Sequence, residues 1–566
     1  MRFIVAISLA VSVIGCANKS FEEGKNGSAS NPLQVGAPRP AVSPDKTLGA
    51  DKLSELNQPV TTKSAEAQRH FNNGMTLVWA FNHDEAIRQF ERALKADENL
   101  AMAHWGIALA LGPNYNVDVD AEREKRGYAE LQTAKTLAEK SNATQAEKDY
   151  IAALQHRFTN DPNADLKKVA QDYAVAAGEL SKKYPDDLHA ATLYAEAMMC
   201  LKPWKLYTKD NKPVEGTVEI VAVLESILQR DADSLGANHL YIHAVEASEH
   251  PDRALESAAR LPMLAPECGH LVHMPSHIYA QVGDHESAAT SNEAAIDVDR
   301  AYFKNHPEGK GGMYEMMYYP HNVHFCAYAE AYQGNYAGAQ KWSKELYALA
   351  APHVAHMAML EGFTIVPAQL DVKFRKWDVI LQWPAPDEKA MPETAAIYHF
   401  GRAMAFADKH DFSQAASERE KMLAIGGAMP PDAMSGMLNK ASHVLEIAKH
   451  TLDGKISQEQ KQYDAAVKQY GKAIALEDDL VYMEPPDWLI PVRESLGGTL
   501  LQKGDAKGAE KVFREHLAKE PRNGRGLFGL WKSLEVQGKT HDAAAVKEQF
   551  DKAWRDADTK LTVEEL

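Results

Sequence analysis

Two pairs of histidines recur 34 residues apart in this chain, each at fixed distances before an alanine. Both pairs stand 15 and 11 residues before that alanine: His239 and His243 before Ala254, and His273 and His277 before Ala288. A period of this length is typical of helix-turn-helix units that stack along the chain, each packing on its neighbours. The spacing therefore predicts a helical array, which has no need of one large core.

A third unit repeats part of the pattern. His324 and His321 lie 15 and 18 residues before Ala339, and His270 occupies the matching 18th place in the second unit. Residues three, four and seven apart share one face of an α-helix, so each unit presents its histidines as a stripe. Glu246 lies on the same face as the first pair.

The spacing continues in units that lack these histidines. Glycine, alanine and aromatic positions keep the same intervals elsewhere: Gly504 and Ala509, Gly538 and Ala543, Gly74 with Ala86, Phe90 and Ala93, and Ala466 with Tyr470 and Ala473. These positions resemble the tetratricopeptide repeat (TPR) family. The resemblance implies an all-α fold, an α-solenoid of TPR-like repeats, in which the offsets 15 and 11 face a concave groove.

The first 16 residues have the pattern of an export signal. Met1 and Arg2 precede the apolar run 3–14, and the run ends in small residues before Cys16. The last four residues of this segment resemble a bacterial lipobox, which implies cleavage before Cys16 and lipid attachment to it. With Ala17 next, the resemblance implies an outer-membrane lipoprotein that faces the periplasm. A simple cleaved signal with a chance cysteine is the alternative.

Composition divides the remaining chain. Residues 17–60 are rich in Asn, Ser, Gly and Pro and predict a flexible tether. Helical periodicity begins near residue 64 and predicts N-terminal repeats at 64–205, central histidine-rich repeats at 217–350 and C-terminal repeats at 393–556. Few β-branched residues alternate along the chain, so we expect little or no sheet.

An insertion separates the second and third histidine units. Ala288 and Ala339 are 51 residues apart, and the excess includes the glycine-rich and aromatic segment 307–320. We expect a loop that covers the groove, with Tyr314, Tyr318 or Tyr319 near the histidines. A plain surface loop is the alternative.

Charge and cysteine content limit the partners. A net charge of −17 argues against nucleic acid, which requires a basic surface, and is easier to reconcile with metal or cationic partners. Once Cys16 is lipidated, three cysteines remain, so at most one internal disulfide can form. Cys326 is expected to be a buried packing residue.

The histidine stripes predict a transition-metal site. Neutral imidazole is the commonest metal ligand, and packed helices about 8–10 Å apart can share an ion. The predicted ligands are His239, His243, His273, His277, His321 and His324, with His270 and Glu246 as outer candidates. They exceed one tetrahedral shell and permit two ions, and they suit Zn, Cu, Fe or Ni. Because ligation requires neutral rings, acidification through the imidazole range is expected to release the ion.

Three functions agree with this pattern. The first is a membrane-anchored binding or assembly module of the cell envelope that holds the metal in the groove of its central repeats. The second is a metal-dependent enzyme, hydrolytic or oxidative, with an open coordination position and Glu246 as ligand or general base. In the third, the groove holds a peptide or helix of a protein partner without metal. Pro275 interrupts the second stripe and predicts a break there, which makes His270 the least secure ligand.

Overall fold

The computed structural model describes residues 53–566, and these residues form an all-α array, as the repeat spacing predicts. Cys16, the export signal and residues 17–52 of the predicted tether lie outside the described residues. The N-terminal helices are α1 Ala65–Trp79, α2 His83–Ala96, α3 Ala101–Leu111, α4 Ala121–Lys140, α5 Gln145–Leu154, α6 Leu166–Lys183 and α7 Leu188–Met199.

The central helices carry the histidines. They are α8 Thr217–Arg230, α9 Leu235–Val245, α10 Leu255–Leu264, α11 Gly269–His273, α12 Pro275–Gln281, α13 His285–Asn305, α14 Tyr319–Tyr332 and α15 Tyr336–Ala350. The predicted loop at 307–320 is largely helical, with a 3₁₀ turn at Pro307–Gly309 and a π-helix at Tyr314–Tyr318 that leads into α14. Helices that follow one another along the chain pack side by side.

The remaining helices extend the array to the C-terminus. They are α16 Glu361–Thr364, α17 Val366–Lys373, α18 Trp377–Gln382, α19 Pro392–Asp408, α20 Phe412–Ala428, α21 Ala441–Glu459, α22 Tyr463–Glu477, α23 Val492–Lys503, α24 Ala506–Lys519, α25 Gly524–Val536 and α26 Thr540–Ala553. Between α20 and α21, strands β1 Met434–Ser435 and β2 Asn439–Lys440 form an antiparallel hairpin in which Met434 pairs with Lys440. Further 3₁₀ turns lie at Gln155–Arg157, Pro251–Ala254, Ala351–His353, Ala358–Leu360 and Val563–Glu565.

Glycines of the repeat end the first helix of several units. They adopt the left-handed conformation, with φ of +74° at Gly283, +78° at Gly334, +90° at Gly504 and +71° at Gly538. In three of these units the next residue caps the following helix through its side chain: Asp284, Asn335 and Asp505. A glycine that tolerates positive φ, followed by an N-cap, sets the turn of each hairpin.

Small residues let aromatic rings fill the helix crossings. The Phe90 ring of α2 lies against Gly74 of α1 and Gly106 of α3, and a Cβ at either glycine would overlap the ring. The repeat alanines, such as Ala288 and Ala339, are fully buried. This packing is the one that the glycine and alanine spacing predicts.

The tether boundary at residue 60 is wrong for its last residues. Leu53 is buried, and its backbone N–H donates to Asn73 Oδ1 over 3.1 Å. The backbone N–H of Val60 donates to Gln68 Oε1 over 2.9 Å. Residues 53–60 therefore pack on α1, because side-chain amides of that helix satisfy their backbone and Leu53 adds apolar contact. Within 53–566, no helix combines the length and hydrophobicity needed to cross a bilayer.

An added methyl group is expected to have opposite effects at two helical glycines. Gly497 of α23 lies against the Phe513 ring, so Gly497→Ala forces overlap and is expected to cost about 1–3 kcal/mol. Gly471 of α22 has open space around its Cα, so Gly471→Ala is expected to stabilise the chain by about 0.5–1 kcal/mol. Thermal unfolding followed by circular dichroism measures both. Equal midpoints for the two variants would contradict the packing described here.

Candidate metal centre

Six of the predicted histidines converge in two groups of three. His239 and His243 of α9 meet His270 of α11, while His273 of α11, His277 of α12 and His321 of α14 form the second group. Within each group the potential ligand atoms lie within 4.8 Å of one another. The groups adjoin, since the ring centroids of His243 and His277 are 5.5 Å apart. We call them the first and second histidine groups.

The helix break at Pro275 divides the second histidine stripe, formed by His270, His273 and His277, between the two groups. α11 ends at His273 and α12 begins at Pro275, as the proline predicts. The ring of His270 faces α9, and its Nε2 is 3.1 Å from His239 Nε2. His270, the least secure of the predicted ligands, is thus fully part of the first group.

Acceptors engage the Nδ1 atoms of two of the three rings in the first group. His239 Nδ1 donates to the backbone carbonyl of Trp79 over 2.6 Å, and His243 Nδ1 donates to Glu246 Oε1 over 3.1 Å. A ring that donates from Nδ1 and is neutral has its lone pair on Nε2. Both rings therefore direct an unprotonated Nε2 into the group, which is the usual preparation of a metal-ligating histidine.

The second group is oriented in the same way. His273 Nδ1 donates to Asn292 Oδ1 over 2.6 Å, and Asn292 Nδ2 donates to the carbonyl of Ala288, which fixes the amide orientation. His277 Nδ1 lies 2.7 Å from Glu246 Oε2 and 2.9 Å from Glu484 Oε2. These are ion-pair distances, although neither contact has hydrogen-bond angles. The acceptors again leave Nε2 facing the interior of the group.

The distances between Nε2 atoms suit a shared ion. His273 Nε2 and His277 Nε2 are 2.9 Å apart, close to the 3.1 Å separation of His239 and His270. Two nitrogens bound about 2.1 Å from one ion, at angles of about 90–110°, lie about 3.0–3.4 Å apart. Two lone pairs at this distance repel each other, so the contact requires either a proton between the atoms or an ion bound to both.

Glu246 connects the two groups. Its carboxylate, which is 1% exposed, contacts His243 through one oxygen and His277 through the other. Although burial opposes ionisation, His277 and His243 lower the pKa of Glu246 to about 2. An anion held between two Nδ1 atoms orients both rings. This position differs from the open carboxylate that a general base requires.

Burial determines which rings are charged. It lowers the pKa of His239, His270, His273 and His321 well below 6.5, and neighbouring histidines lower it further. Burial also lowers the pKa of His243, with Glu246 offsetting part of the shift. At His277 burial acts in the same direction, but Glu246 and Glu484 outweigh it and raise the pKa to about 10. Without an ion, His277 is therefore the protonated member and can donate to His273.

Aromatic rings enclose the first group. The Phe81 ring centroid lies 4.4 Å from that of His239 and 5.4 Å from that of His270. Tyr115 and Trp204 pack against His243 at 5.2 and 5.8 Å. The surrounding rings bury the group, and burial strengthens any electrostatic interaction inside it. The second group is more open, because His321 is only half-buried and lies on the wall of a cavity.

The other predicted residues lie around these groups. His324 belongs to neither group, because its ring faces Phe363 and the cavity rather than the neighbouring helices. Tyr314 accepts from the backbone N–H of His270 over 3.0 Å, and the Tyr318 ring is 4.9 Å from that of His270. Tyr319 faces away, toward Arg300 and Glu345.

Cys326 is buried, as predicted, and Cys200, Cys268 and Cys326 are all free thiols.

The terminal repeats supply residues that the sequence pattern does not indicate. Trp79 and Phe81 come from the first unit, and Glu484 reaches His277 from a segment more than 200 residues further on. Two side chains hold that segment: Gln369 accepts from the N–H of Leu489, and Asn439 accepts from the N–H of Val481. These residues lie outside the repeat register of the histidines, so their role depends on the folded path of the chain.

Known proteins resemble this chain only distantly. No family model and no curated protein matches the sequence. A solved structure of a human IFIT1 dimer with m7Gppp-AAAA is 13% identical over 88% of this chain and 92% of its own, with a TM-score of 0.31. Cut9–Hcn1 of the APC/C (13% identity, 84% and 78% covered, TM-score 0.29) and Naa15/Naa10 with HypK-THB (12%, 87% and 90%, TM-score 0.25) are similarly distant. With TM-scores this low, no property of those proteins is transferred.

The charge difference between the groups predicts different pH dependence. An ion in the second group must displace the proton of His277, whose pKa is about 10, so its affinity is expected to rise about tenfold per pH unit above neutrality. The first group has only rings with lowered pKa, so its affinity is expected to stay constant above pH 6.5. Burial thus moves metal release from this group below the range expected for a free imidazole.

Single substitutions separate the two sites. His239→Ala leaves the second group intact, and His321→Ala leaves the first. Competition titrations of Zn²⁺ against a chelator, at several pH values between about 6.5 and 8.5, measure both affinities. The same slope in the two variants would contradict the assigned charge states.

Proposed function

We propose that this protein binds transition-metal ions in the central repeats of its TPR-like array, one ion in each histidine group. The carrying observation is that Nε2 atoms meet at 3.1 and 2.9 Å, while carbonyl, amide and carboxylate oxygens engage the Nδ1 atoms of four of the rings: His239, His243, His273 and His277. Such outer partners fix the tautomer and orientation of ligating rings. A metal-free role as core histidines would leave several buried nitrogens without partners.

Those unsatisfied nitrogens support the proposal. Among the described residues, His243 Nε2 and His270 Nδ1 are buried and have no hydrogen-bond partner. A buried polar atom without a partner costs about 1–3 kcal/mol. An ion bound to the first group would satisfy His243 Nε2 directly. An ion in the first group therefore explains the unpartnered His243 Nε2, which packing alone does not.

The ligand chemistry limits the choice of metal. Three imidazoles per group, without thiolate, suit Zn, Cu, Fe or Ni. Cys268 and Cys326 lie outside both groups, and burial raises the pKa of each thiol. Glu484 lies beside the second group but contacts Nδ1 of His277, so it orients that ring rather than adding an oxygen ligand.

We further propose that the array acts as an anchored module of the cell envelope. The proposal combines the lipobox resemblance before Cys16 with a scaffold of stacked helical hairpins, which offers extended surface to a protein or peptide partner. In this role the metal groups stabilise the central units where a partner would bind. Outer-membrane attachment rests on the sequence resemblance alone.

Metal analysis tests the central proposal. The purified chain, loaded with Zn²⁺ and desalted, is expected to retain two ions, because each group supplies three converging nitrogens. The His239→Ala/His273→Ala variant removes one ligand from each group and is expected to lose both ions. Mass spectrometry of metal content gives the stoichiometry.

A matched control uses histidines outside the groups. His353 and His356 are exposed and three residues apart, so His353→Ala/His356→Ala removes as many imidazoles without touching either group. This variant is expected to keep the metal content of the unmodified chain. Absence of bound metal from the unmodified chain, or equal losses in the two double variants, would refute the proposal.

One observation favours a second function, metal-dependent catalysis. The second group offers three imidazoles, one of them on the wall of a cavity, and catalytic metal sites typically combine three protein ligands with one exchangeable position. An ion there would supply a Lewis acid or an activated water. The orienting position of Glu246 leaves the base for such a reaction unassigned.

Cobalt spectroscopy distinguishes an open from a closed site. Co²⁺ bound to the second group is expected to change its visible absorption when azide is added, because a fourth position is exchangeable. Co²⁺ in the His321→Ala variant, held only by the enclosed first group, is expected to respond less. Bands that azide leaves unchanged in the unmodified chain would argue for closed sites and against catalysis.

A further inference from the structure

A cavity of about 90 Å³ adjoins the second histidine group. His321 and His324 of α14 form one wall, and the hairpin between β1 and β2 contributes Met437. The segment that carries Glu484 closes another side. This space is several times the roughly 10–15 Å³ that one water molecule requires. Segments far apart in the sequence therefore build a concave site that the repeat pattern does not predict.

The walls of the cavity are mainly apolar. Four methionines line it, together with the ring of Phe363: Met317, Met359, Met437 and Met483. All four are half-buried, so their side chains are neither fixed in a packed core nor free in solvent. Methionine is flexible and polarisable and adapts to ligands of irregular shape. Such walls favour an apolar body over a peptide backbone or a sugar.

A polar atom aimed into the cavity lacks a partner. His324 is 7% exposed, and its Nε2 forms no hydrogen bond with the described residues. The ring packs edge-on against Phe363 at 5.7 Å and borders the cavity. A ligand group that hydrogen-bonds to this nitrogen would remove the cost of leaving it unpaired.

The acids at the edge argue against an anionic ligand. Glu484 faces His277, and Asp487 Oδ2 accepts from Asn439 Nδ2 over 2.7 Å. Burial raises the pKa of Asp487 to about 7. Both carboxyl groups are engaged by the protein, so neither is free to pair with a cation, and the described residues of the cavity wall offer an anion no unpaired positive charge.

We propose that this cavity binds a neutral organic molecule with an apolar, aromatic-sized body and one hydroxyl group directed at His324 Nε2. His321 belongs both to the cavity and to the second histidine group, so the bound molecule lies beside the metal position. The position beside the metal rests on the proposed metal function, whereas binding in the cavity does not.

The probe for this site is 2-naphthol, a neutral fluorescent molecule with one hydroxyl. Its fluorescence is expected to saturate at one molecule per chain, both with Zn²⁺ and after metal removal by chelation. Met437→Trp fills the cavity from the hairpin and is expected to weaken binding at least about tenfold. Met434→Trp, on the same hairpin but outside the cavity, is the matched control and is expected to bind normally.

A second pair of variants tests the polar contact. His324→Phe keeps the ring size and removes the nitrogen, and it is expected to weaken 2-naphthol more than naphthalene, which has no hydroxyl. Equal effects on the two probes would overturn the assigned orientation. No saturable binding to the metal-free chain, or equal binding by Met437→Trp and Met434→Trp, would overturn the site itself.

Thioether ligation of a soft metal is the competing use of these methionines. Met359→Leu/Met437→Leu keeps the walls apolar and removes two sulfurs, so 2-naphthol is expected to bind within about threefold of normal. Loss of stoichiometric Cu⁺ binding in this variant, with no 2-naphthol binding in the unmodified chain, would overturn the proposal. A shift of the Co²⁺ absorption bands by 2-naphthol separately tests contact between the bound molecule and the ion. Failure of the metal proposal can therefore be distinguished from failure of the cavity proposal.

Discussion

The site depends on close contact between the Nε2 atoms of paired imidazoles, which both face the interior of their histidine group. The 2.9 Å separation of His273 and His277 exists because Asn292 and the carboxylates of Glu246 and Glu484 engage the opposite ring atoms. Nitrogens so close need either the proton of an N–H···N hydrogen bond or a metal ion between them. The raised pKa of His277 shows how the metal-free chain meets this need, with a proton that an ion would replace.

The two groups share Glu246 but differ in their surroundings. Phe81 and its aromatic neighbours enclose the first group, whereas His321 brings the second group to a methionine-lined cavity. A closed site suits an ion that stabilises the array, and an open site suits an ion that meets a small molecule. The proposed metal centre would therefore combine a structural position and a reactive position, with Glu246 in contact with both groups.

Much of this arrangement could be predicted from the sequence. The 34-residue period places histidines at one register, and stacked hairpins bring that register together, so six of the seven proposed ligands converge. Helix turns at Gly283 and Gly334, and the ring of Phe90 between glycines, also follow from repeat spacing. His324 lies outside both converging groups, and its ring packs against Phe363. Glu484 could not be predicted, since its position depends on how Gln369 and Asn439 hold a distant segment.

The most direct measurement is a crystal structure of the metal-loaded chain, with anomalous scattering collected on both sides of the absorption edge of the metal. The account predicts two anomalous peaks, each about 2.1 Å from the Nε2 atoms of one histidine group, and none at His353 or His356. Anomalous peaks confined to surface histidines would contradict it. So would the absence of a peak between imidazole pairs that stay 2.9–3.1 Å apart in the metal-loaded crystal.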